Sequence, residues 1–361
     1  MSEGIVLKIS DRFRDRKVEF FNDFQINLIH NSIGSTFSFN FYFDPFNEEH
    51  KEFAAPHYHT VTLEFNGEPF FRGTITNQKF RRSSKKQLAS IGGYSITGVL
   101  QDSQIPTEIY PLQSVGISLA SICRKVLRPF DIGLVIDDNV LAKANKVIPK
   151  TTSNNTQTVQ DYLSTIAKQQ NIILTSDEVG NLRLTESLTN QEPILEFDFT
   201  KEVIIPGTDF ELNYNGQGMH STVTTMRQAS SKRGSNSGQQ TLRNPLVIGS
   251  VVRPKVSSQS SGDDNDTRSA VKRELANDIK GVTLTITTDR WVVDGKILRP
   301  NNLIAIYDPE LFLYRRTLWF IESISFTGDN IKTIATINCV LPEVYNNETP
   351  VNIFRGINLR E

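Results

Sequence analysis

A run of basic side chains is the feature of this sequence that most clearly offers an interaction. Six positive charges and no acidic residue occur between positions 72 and 86, and they are Arg72, Lys79, Arg81, Arg82, Lys85 and Lys86. The flanking segments alternate as strands do, so the run is predicted to form a hairpin tip. Such a cluster suits an acidic partner surface or passing nucleic acid, although a solvated turn carries the same charges.

Two histidines separated by one residue offer a second kind of chemistry. On a strand His57 and His59 would face the same side, where imidazoles can ligate a metal with His50 or Glu52 nearby. The same spacing is typical of an exposed loop or strand edge after Pro56. Because a third and a fourth ligand cannot be named, the sequence predicts no metal site.

The common catalytic and cofactor motifs are absent. The sequence contains no GxGxxG, GxxxxGK[ST] or GxSxG string. Its two cysteines, Cys123 and Cys339, lie far apart and outside any CxxC pair, which excludes a disulfide scaffold and a structural zinc–cysteine site. We therefore predict no catalytic residue, no cofactor and no metal.

Length and charge narrow the class of protein further. A chain of 361 residues is expected to form two or three domains. Lys and Arg number 39 against 40 Asp and Glu, so the net charge is −1, unlike the strongly basic balance of nucleic-acid-binding proteins. The longest apolar run spans five residues, 303–307, whereas a membrane helix needs about 20. Residues 1–9 lack the apolar core of a signal peptide, so none is expected.

Phenylalanine is unusually frequent at the start of the chain. There are 22 Phe residues against 2 Trp, and many Phe precede position 72. Phe37, Phe39 and Phe41 alternate with polar residues, and Asn66-Gly67 is a strong signal for a hairpin turn. Aromatic residues pack well on a pleated surface, so this pattern predicts a β core.

The middle of the chain predicts helices and a hairpin. Apolar residues at steps of three and four from Leu112 to Val126 predict one amphipathic helix. A second helix is predicted near Thr158, whose hydroxyl can cap it, with a β-hairpin following over 172–185. The last third returns to strands, with a helix over 270–279 that ends at Gly281.

This order predicts an α+β fold that is mainly β, in which a small α+β module separates two β domains. The predicted divisions are a first β domain over 1–100, the α+β module over 101–190, a second β domain over 191–345 and a tail over 346–361. The second domain carries Ser-rich loops at 228–241 and 257–266, and the first is expected to include a strand from about 190–205.

Four stretches together resemble the baseplate hub proteins of contractile-tailed phages, in particular the tail protein of Mu-like phages and prophages. They are GGYSITGVLQDSQIP (92–106), TVQDYLSTIAKQQNIILTSDEVGNLRLTE (158–186), SAVKRELANDIKG (269–281) and DRWVVDGKILRPNNLIAIYDPEL (289–311), with LPEVY ending at Tyr345. Their order and spacing cover nearly the whole chain. The family is shared with T-even phages and contractile secretion systems.

The resemblance implies a structural virion protein of the tail baseplate, assembled in the cytoplasm of the host bacterium. It implies two similar β-barrel-like domains, and a homotrimeric ring in which six such domains surround a channel. One end of the ring would meet the sixfold tail tube and the other the threefold spike, so the hub is a symmetry adapter. It further implies contacts with other baseplate proteins, transient passage of DNA, no enzymatic activity and no stable membrane insertion. Because the chain ends at Glu361 without a needle-forming repeat, a separate spike protein is expected.

Two other classes of function stay open at the level of sequence. A virion-associated peptidoglycan or polysaccharide hydrolase needs two carboxylates flanking a cleft, and 40 acidic residues supply many pairs without selecting one. A carbohydrate-binding tail protein needs a shallow groove with exposed aromatic rings. The excess of Phe counts against it, because Trp and Tyr have polar ends that tolerate water.

Overall fold

The chain folds into two compact units, each built from discontinuous segments. The computed structural model describes residues 5–10, 15–18, 21–55, 57–82, 88–110, 113–152, 156–201, 207–227, 239–249, 251–259, 267–293, 295–329, 332–346 and 348–354. The first unit comprises 1–186, 289–297 and 323–335, and the second comprises 187–288, 298–322 and 336–361.

Strands dominate the described residues. In chain order they are β1 (Ile5–Ser10), β2 (Asp15–Val18), β3 (Asp23–Ile29), β4 (Thr36–Tyr42), β5 (Thr60–Phe65), β6 (Glu68–Arg81), β7 (Leu88–Ser95), β8 (Gln113–Ser118), β9 (Leu134–Ile136), β10 (Val147–Thr152), β11 (Ile173–Ser176), β12 (Leu182–Thr185), β13 (Leu195–Asp198), β14 (Thr208–Tyr214), β15 (Thr222–Arg227), β16 (Gln239–Arg243), β17 (Pro254–Gln259), β18 (Val282–Thr288), β19 (Val292–Val293), β20 (Lys296–Ile297), β21 (Leu303–Asp308), β22 (Leu313–Asp329) and β23 (Thr333–Val340). The α-helices are α1 (Glu48–Lys51), α2 (Val99–Asp102), α3 (Leu119–Leu127), α4 (Asp138–Ala144), α5 (Val159–Gln169), α6 (Thr267–Ile279) and α7 (Glu343–Asn346).

The main sheet of the first unit is antiparallel. Its strands follow the order β22, β3, β4, β7, β6, β5, β1 and β2, where β22 contributes residues 323–329. The register places Ser323 opposite Ile29 and Asp329 opposite Asp23, so a strand from late in the sequence completes the sheet. The mainly β fold class is confirmed, and the described strand pairs give an order of neighbours rather than a closed barrel.

Phenylalanine rings fill the core of this sheet. Phe37, Phe39 and Phe41 lie buried on one face of β4, as their alternation predicts. Phe53 lies beneath them, with its ring centroid 5.5 Å from that of Phe39 and 5.0 Å from that of Phe41. A fully buried Phe side chain stabilises a fold by roughly 1.5–3 kcal/mol, so these rings are a main source of the unit's stability.

The α+β module belongs to the first unit and has its own apolar cluster. The helices α3 and α5 bury Leu119, Ile122 and Leu163 in this cluster. Strands β11 and β12 form the predicted hairpin, and β9 pairs with β12 in parallel. The hydroxyl of Thr158 accepts a hydrogen bond from the backbone N–H of Asp161 at 3.1 Å, which confirms the predicted cap.

The first predicted helix starts seven residues later than its apolar spacing indicates. Residues 113–118 form β8, which pairs with β10, and the helix α3 begins at Leu119. Gly116 has a φ of +66°, which is incompatible with a right-handed helix through that position. The hydroxyl of Ser118 caps α3 by accepting from the N–H of Ser121 at 3.3 Å.

The second unit combines a larger and a smaller sheet. Strands β14, β18, β23 and β22 are successive neighbours, with residues 336–340 of β23 and 313–322 of β22 in this unit. Strand β21 pairs with β22 antiparallel and with β13 in parallel. The smaller sheet has the order β16, β15, β17, and α6 packs against it. The predicted helix ending near Gly281 is therefore confirmed as α6.

The domain boundaries predicted at 100, 190 and 345 stay predictions. Parts of the predicted Ser-rich loops, at 228–238 and 260–266, lie outside the described residues. Residues 239–241 and 257–259 belong to β16 and β17, because they pair with the polar strand β15. No helix within the described ranges is both long enough and apolar enough to cross a bilayer.

Candidate functional site

The basic run follows strand β6 toward the end of a hairpin at which β6 and β7 are connected. Arg72 and Lys79 lie on β6, which pairs with β7 as far as Arg81 opposite Leu88. Arg82 comes directly after the strand, and all four of these described basic side chains are exposed. Residues 83–87, which include Lys85 and Lys86, lie outside the described residues.

The described residues of the basic run lie at two separate places on the first unit. Lys79 and Arg81 are two residues apart on a strand and share a face. Phe80 points away from them, and its ring centroid lies 4.8 Å from that of Phe43. Arg72 is seven residues from Lys79, which corresponds to roughly 23 Å along an extended strand. It lies instead beside the Gly180 turn between β11 and β12.

The structure brings the two histidines of the HxH pair together with a carboxylate. The Nδ1 atom of His57 lies 3.2 Å from Nε2 of His59, which lies 3.7 Å from Oε2 of Glu52. One ligand atom from each of the three residues falls within 4.8 Å of the other two. His50, the other neighbour considered, uses its Nδ1 atom to accept a hydrogen bond from the backbone N–H of Asp44 at 2.8 Å.

The sequence named His50 and Glu52 as alternative neighbours of the pair, and the choice between them depends on a helix end. Glu52 is the C-cap of the four-residue helix α1, whose start is capped by Asn47. The Asn47 cap and the apolar Phe53 were the local signals that could have placed the carboxylate there.

Both thiols are poor nucleophiles. Cys123 and Cys339 are fully buried. Burial raises the pKa of Cys123 to about 12 and raises that of Cys339 well above its usual range. Since the thiolate is the reactive form, neither thiol is suited to attack a substrate at neutral pH.

A histidine–aspartate pair at the end of α6 is held in hydrogen bonds and an ion pair within the fold. The buried carboxylate of Asp278 lies 2.9 Å from Nδ1 of His220 and accepts from its backbone N–H at 3.0 Å. It also accepts from Nζ of Lys255 at 3.2 Å. Burial acts to lower the pKa of Lys255, but its hydrogen bonds to Glu274 and Asp278 raise it overall, so the lysine remains a cation. The hydroxyl of the neighbouring Ser221 accepts a hydrogen bond from the backbone N–H of Arg253 at 2.9 Å, which ties two segments of the backbone together.

A cavity in the first unit is apolar. Its wall is formed by Phe21, Phe24, Phe37, Phe39 and Leu63 among others, with Ser38 as the polar residue. This lining offers no ionisable group for acid–base chemistry.

The middle of the chain matches a family model. Residues 97–186 match the model of the second domain of gp44-like baseplate hub proteins. The matched region contains α3, α5 and the β11–β12 hairpin, and it includes the stretch 158–186 that carried the resemblance in the sequence. A sequence comparison with curated proteins gives no match.

Solved structures match the fold over almost the whole chain. The 43 kDa tail protein of prophage MuSo2 from Shewanella oneidensis has a TM-score of 0.76 at 18% identity, with 95% of this chain and 99% of that chain covered. The tail protein from Neisseria meningitidis MC58 has a TM-score of 0.73 at 17% identity, with 96% and 99% covered. An Escherichia coli component of the type VI secretion system, described as structurally similar to the T4 tail proteins gp27 and gp5, has a TM-score of 0.53 at 11% identity, with 96% and 80% covered. The chain therefore has the fold of phage tail proteins, as the resemblance implied.

Proposed function

We propose that this chain is a structural protein of a phage tail, the trimeric hub of the baseplate. The observation that carries the proposal is the match of residues 97–186 to the second domain of baseplate hub proteins. In this role three chains form a ring at the tail tip, which links the sixfold tail tube to the threefold spike and surrounds the channel for DNA.

The share of each solved structure that this chain matches supports a role as a hub protein. The tail proteins from Shewanella oneidensis and Neisseria meningitidis are each matched over 99% of their own length, so the likeness reaches well beyond the middle domain. The secretion-system component is described as similar to two T4 tail proteins, and complexes named for PdpA and VgrG share the fold at TM-scores of about 0.6. These likenesses favour a tube protein, a spike protein and other baseplate proteins as partners.

Exposed apolar strands in the first unit support assembly with other chains. The pair β8–β10 is a two-stranded ribbon, a form that is marginally stable by itself. Val115 and Val147 on this ribbon are 63% and 62% exposed, while Ile117 and Ile148 pack against the cluster of the α+β module. Contact with a second chain would cover the two valines and the ribbon's edges.

The second unit offers a comparable surface. Val251, Val252 and Val256 are all exposed around the start of β17, and Val252 is 83% exposed. Among the described residues, strand β17 lies at one side of the three-stranded sheet, and pairing with another chain would cover its outer edge. A ring of chains provides such partners by closed symmetry.

The basic hairpin is proposed as a contact surface within this assembly. Lys79, Arg81 and Arg82 are exposed where β6 and β7 approach their connection. A local excess of positive charge on a chain of net charge −1 favours an acidic surface of a neighbouring protein. Lys85 and Lys86 complete the charge of this segment in the sequence.

Oligomeric mass tests the proposal directly. Light scattering on the purified chain should give three times 40.7 kDa, or a monomer that trimerises at higher concentration or with tube and spike proteins. An assay for cleavage of peptidoglycan should give no product. A monomer or dimer under every condition, together with glycan cleavage, would overturn the hub and favour a hydrolase.

A further inference from the structure

We propose that Glu52, His57 and His59 form a binding site for a divalent transition-metal ion, with Zn²⁺ as the ion to be tested. This inference is independent of the hub proposal, because it rests on the arrangement of three side chains within the first unit. Imidazole nitrogens and a carboxylate oxygen form the donor set that Zn²⁺ and its neighbours in the first transition row accept.

The separations match a coordination sphere. With metal–nitrogen bonds of roughly 2.0–2.1 Å, two ligands at a tetrahedral angle lie about 3.3 Å apart. The two histidine nitrogens are 3.2 Å apart, close to this value. The Glu52 oxygen lies 3.7 Å from His59 Nε2, and the three ligand atoms all lie within 4.8 Å of one another.

The required tautomers are compatible with this pairing. A metal bound by Nδ1 of His57 and Nε2 of His59 leaves each proton on the other nitrogen of its ring. Without a metal, one of the two facing nitrogens donates to the other across 3.2 Å. Binding an ion replaces that hydrogen bond with two coordinate bonds, and the proton of the donating ring then resides on its other nitrogen.

The backbone holds the ligands in place on both sides. The carbonyl of His59 accepts from the N–H of Ile75 at 3.0 Å, and the carbonyl of His57 accepts from Nε2 of Gln78 at 2.9 Å. These bonds tie the segment before β5 to strand β6. The next residue after Glu52, Phe53, is 1% exposed in the phenylalanine core, which fixes the end of α1. Little conformational entropy is then lost on binding an ion.

The three ligands differ in their exposure to solvent. The side chains of His59 and Glu52 are 12% and 27% exposed, whereas His57 is exposed. Partial burial strengthens the attraction between the cation and the carboxylate, and the exposed histidine keeps the site accessible from solvent. Three protein ligands leave a fourth position for water or for a donor from another molecule.

Metal binding by the full chain without a polyhistidine tag tests the site. After chelation and removal of the chelator, calorimetry with Zn²⁺ should show one ion bound at this site, and Co²⁺ should give the visible absorption of a low-coordinate complex. His57→Ala and His59→Ala should each weaken binding by more than about tenfold, since losing even an outer partner of a ligand costs 10–100-fold. Glu52→Gln should weaken it in the same direction.

Matched controls separate this site from adventitious binding. Glu49→Gln removes an exposed carboxylate from the same helix, α1, and should leave affinity unchanged. Zn²⁺ should raise the thermal midpoint of the wild type and of Glu49→Gln, but not that of His57→Ala, whose exposed side chain is expendable for folding. Circular dichroism checks that each variant is folded. Absence of binding, or equal affinity in folded His57→Ala, would overturn the proposal.

Discussion

The hydroxyl of Tyr345 donates a 2.6 Å hydrogen bond to Oε1 of Glu322. Nζ of Lys280 lies 3.9 Å from the same carboxylate oxygen and 5.7 Å from the centre of the Tyr345 ring. Burial, followed by the bond to Glu322, raises the pKa of Tyr345 far above its usual range, so the phenol remains a donor. The ring also packs on Phe320 with centroids 4.7 Å apart, which joins α7 to β22 within the second unit.

Replacing Tyr345 with Phe should reduce the free energy of unfolding by about 1–2 kcal/mol, because a hydrogen bond to a carboxylate is lost while the ring contact stays. Urea denaturation of both proteins measures the difference. Tyr314→Phe is the matched control, since Tyr314 is 38% exposed on β22, the strand that carries Glu322, and it should change stability little. Equal stability of Tyr345→Phe and the wild type would contradict the prediction.

The two adjacent glycines of β7 should respond differently to the same substitution. A Cβ atom on Gly93 would lie 1.9 Å from the carbonyl oxygen of Thr74 and 2.9 Å from the Phe37 ring. A Cβ on Gly92 would approach the nearest backbone atom only to 3.2 Å. Gly93→Ala should therefore destabilise the fold by more than about 3 kcal/mol or abolish soluble expression, because backbone must move.

Gly92→Ala is the control for Gly93→Ala, with the same chemical change one residue away. It should retain soluble, folded protein with a smaller loss of stability. Thermal unfolding of the two variants in parallel makes the comparison, and similar midpoints would show that strand β6 yields to the added methyl group.

Local patterns predicted the parts of the fold that depend on neighbouring residues. The alternation of Phe37, Phe39 and Phe41 identified a half-buried strand, because side chains on a strand alternate between its faces. Asn66 and Gly67 have φ values of 51° and 86°, as the Asn-Gly turn signal predicts. The predicted start of the first helix, at Leu112, was wrong because apolar spacing alone does not distinguish a strand such as β8 from a helix. Gly116 and the capping Ser118 are the residues that indicate where α3 begins.

Parts that depend on distant contacts could not be predicted in this way. Trp291 is an example: its ring centroid lies 4.7 Å from that of Phe326 and 5.7 Å from that of Phe24, although the three residues come from three separate segments. The third ligand of the proposed metal site could not be chosen from the sequence for a related reason. The spacing of His57 and His59 identified them as a pair, but the end of α1 and the bonds to β6 place Glu52 beside them.

Acid should destabilise the first unit through one buried histidine. His30 is 2% exposed, and burial lowers its pKa from 6.5 to about 4. Above pH 6.5 the imidazole is neutral in both folded and unfolded chains. Between pH 6.5 and 4 the unfolded chain takes up a proton that the folded chain does not, so the free energy of unfolding falls. The total loss is on the order of 3 kcal/mol, and it levels off below pH 4.

Urea titrations at a series of pH values measure this dependence. In His30→Gln the slope of stability against pH should be reduced across this range, whatever the variant's stability at pH 7. Val179→Ala, which shortens an exposed side chain that carries no ionisable group, should keep the wild-type slope. A slope in His30→Gln identical to that of the wild type would assign the acid sensitivity to other groups.

Charge reversal on the basic hairpin tests its proposed role in assembly. The double change Lys79→Glu and Arg81→Glu places two acidic groups on one exposed face of β6 without touching buried residues, so the fold should be retained. If this face meets an acidic partner, like charges then oppose each other, and particle yield on complementation should fall by roughly tenfold or more. Arg72→Glu should have a smaller effect, because Arg72 lies beside the Gly180 turn, away from the hairpin end. The double change Lys296→Glu and Lys332→Glu, at two exposed positions, controls for the same change in net charge. Wild-type yield from the folded double variant would identify the hairpin as a solvated turn.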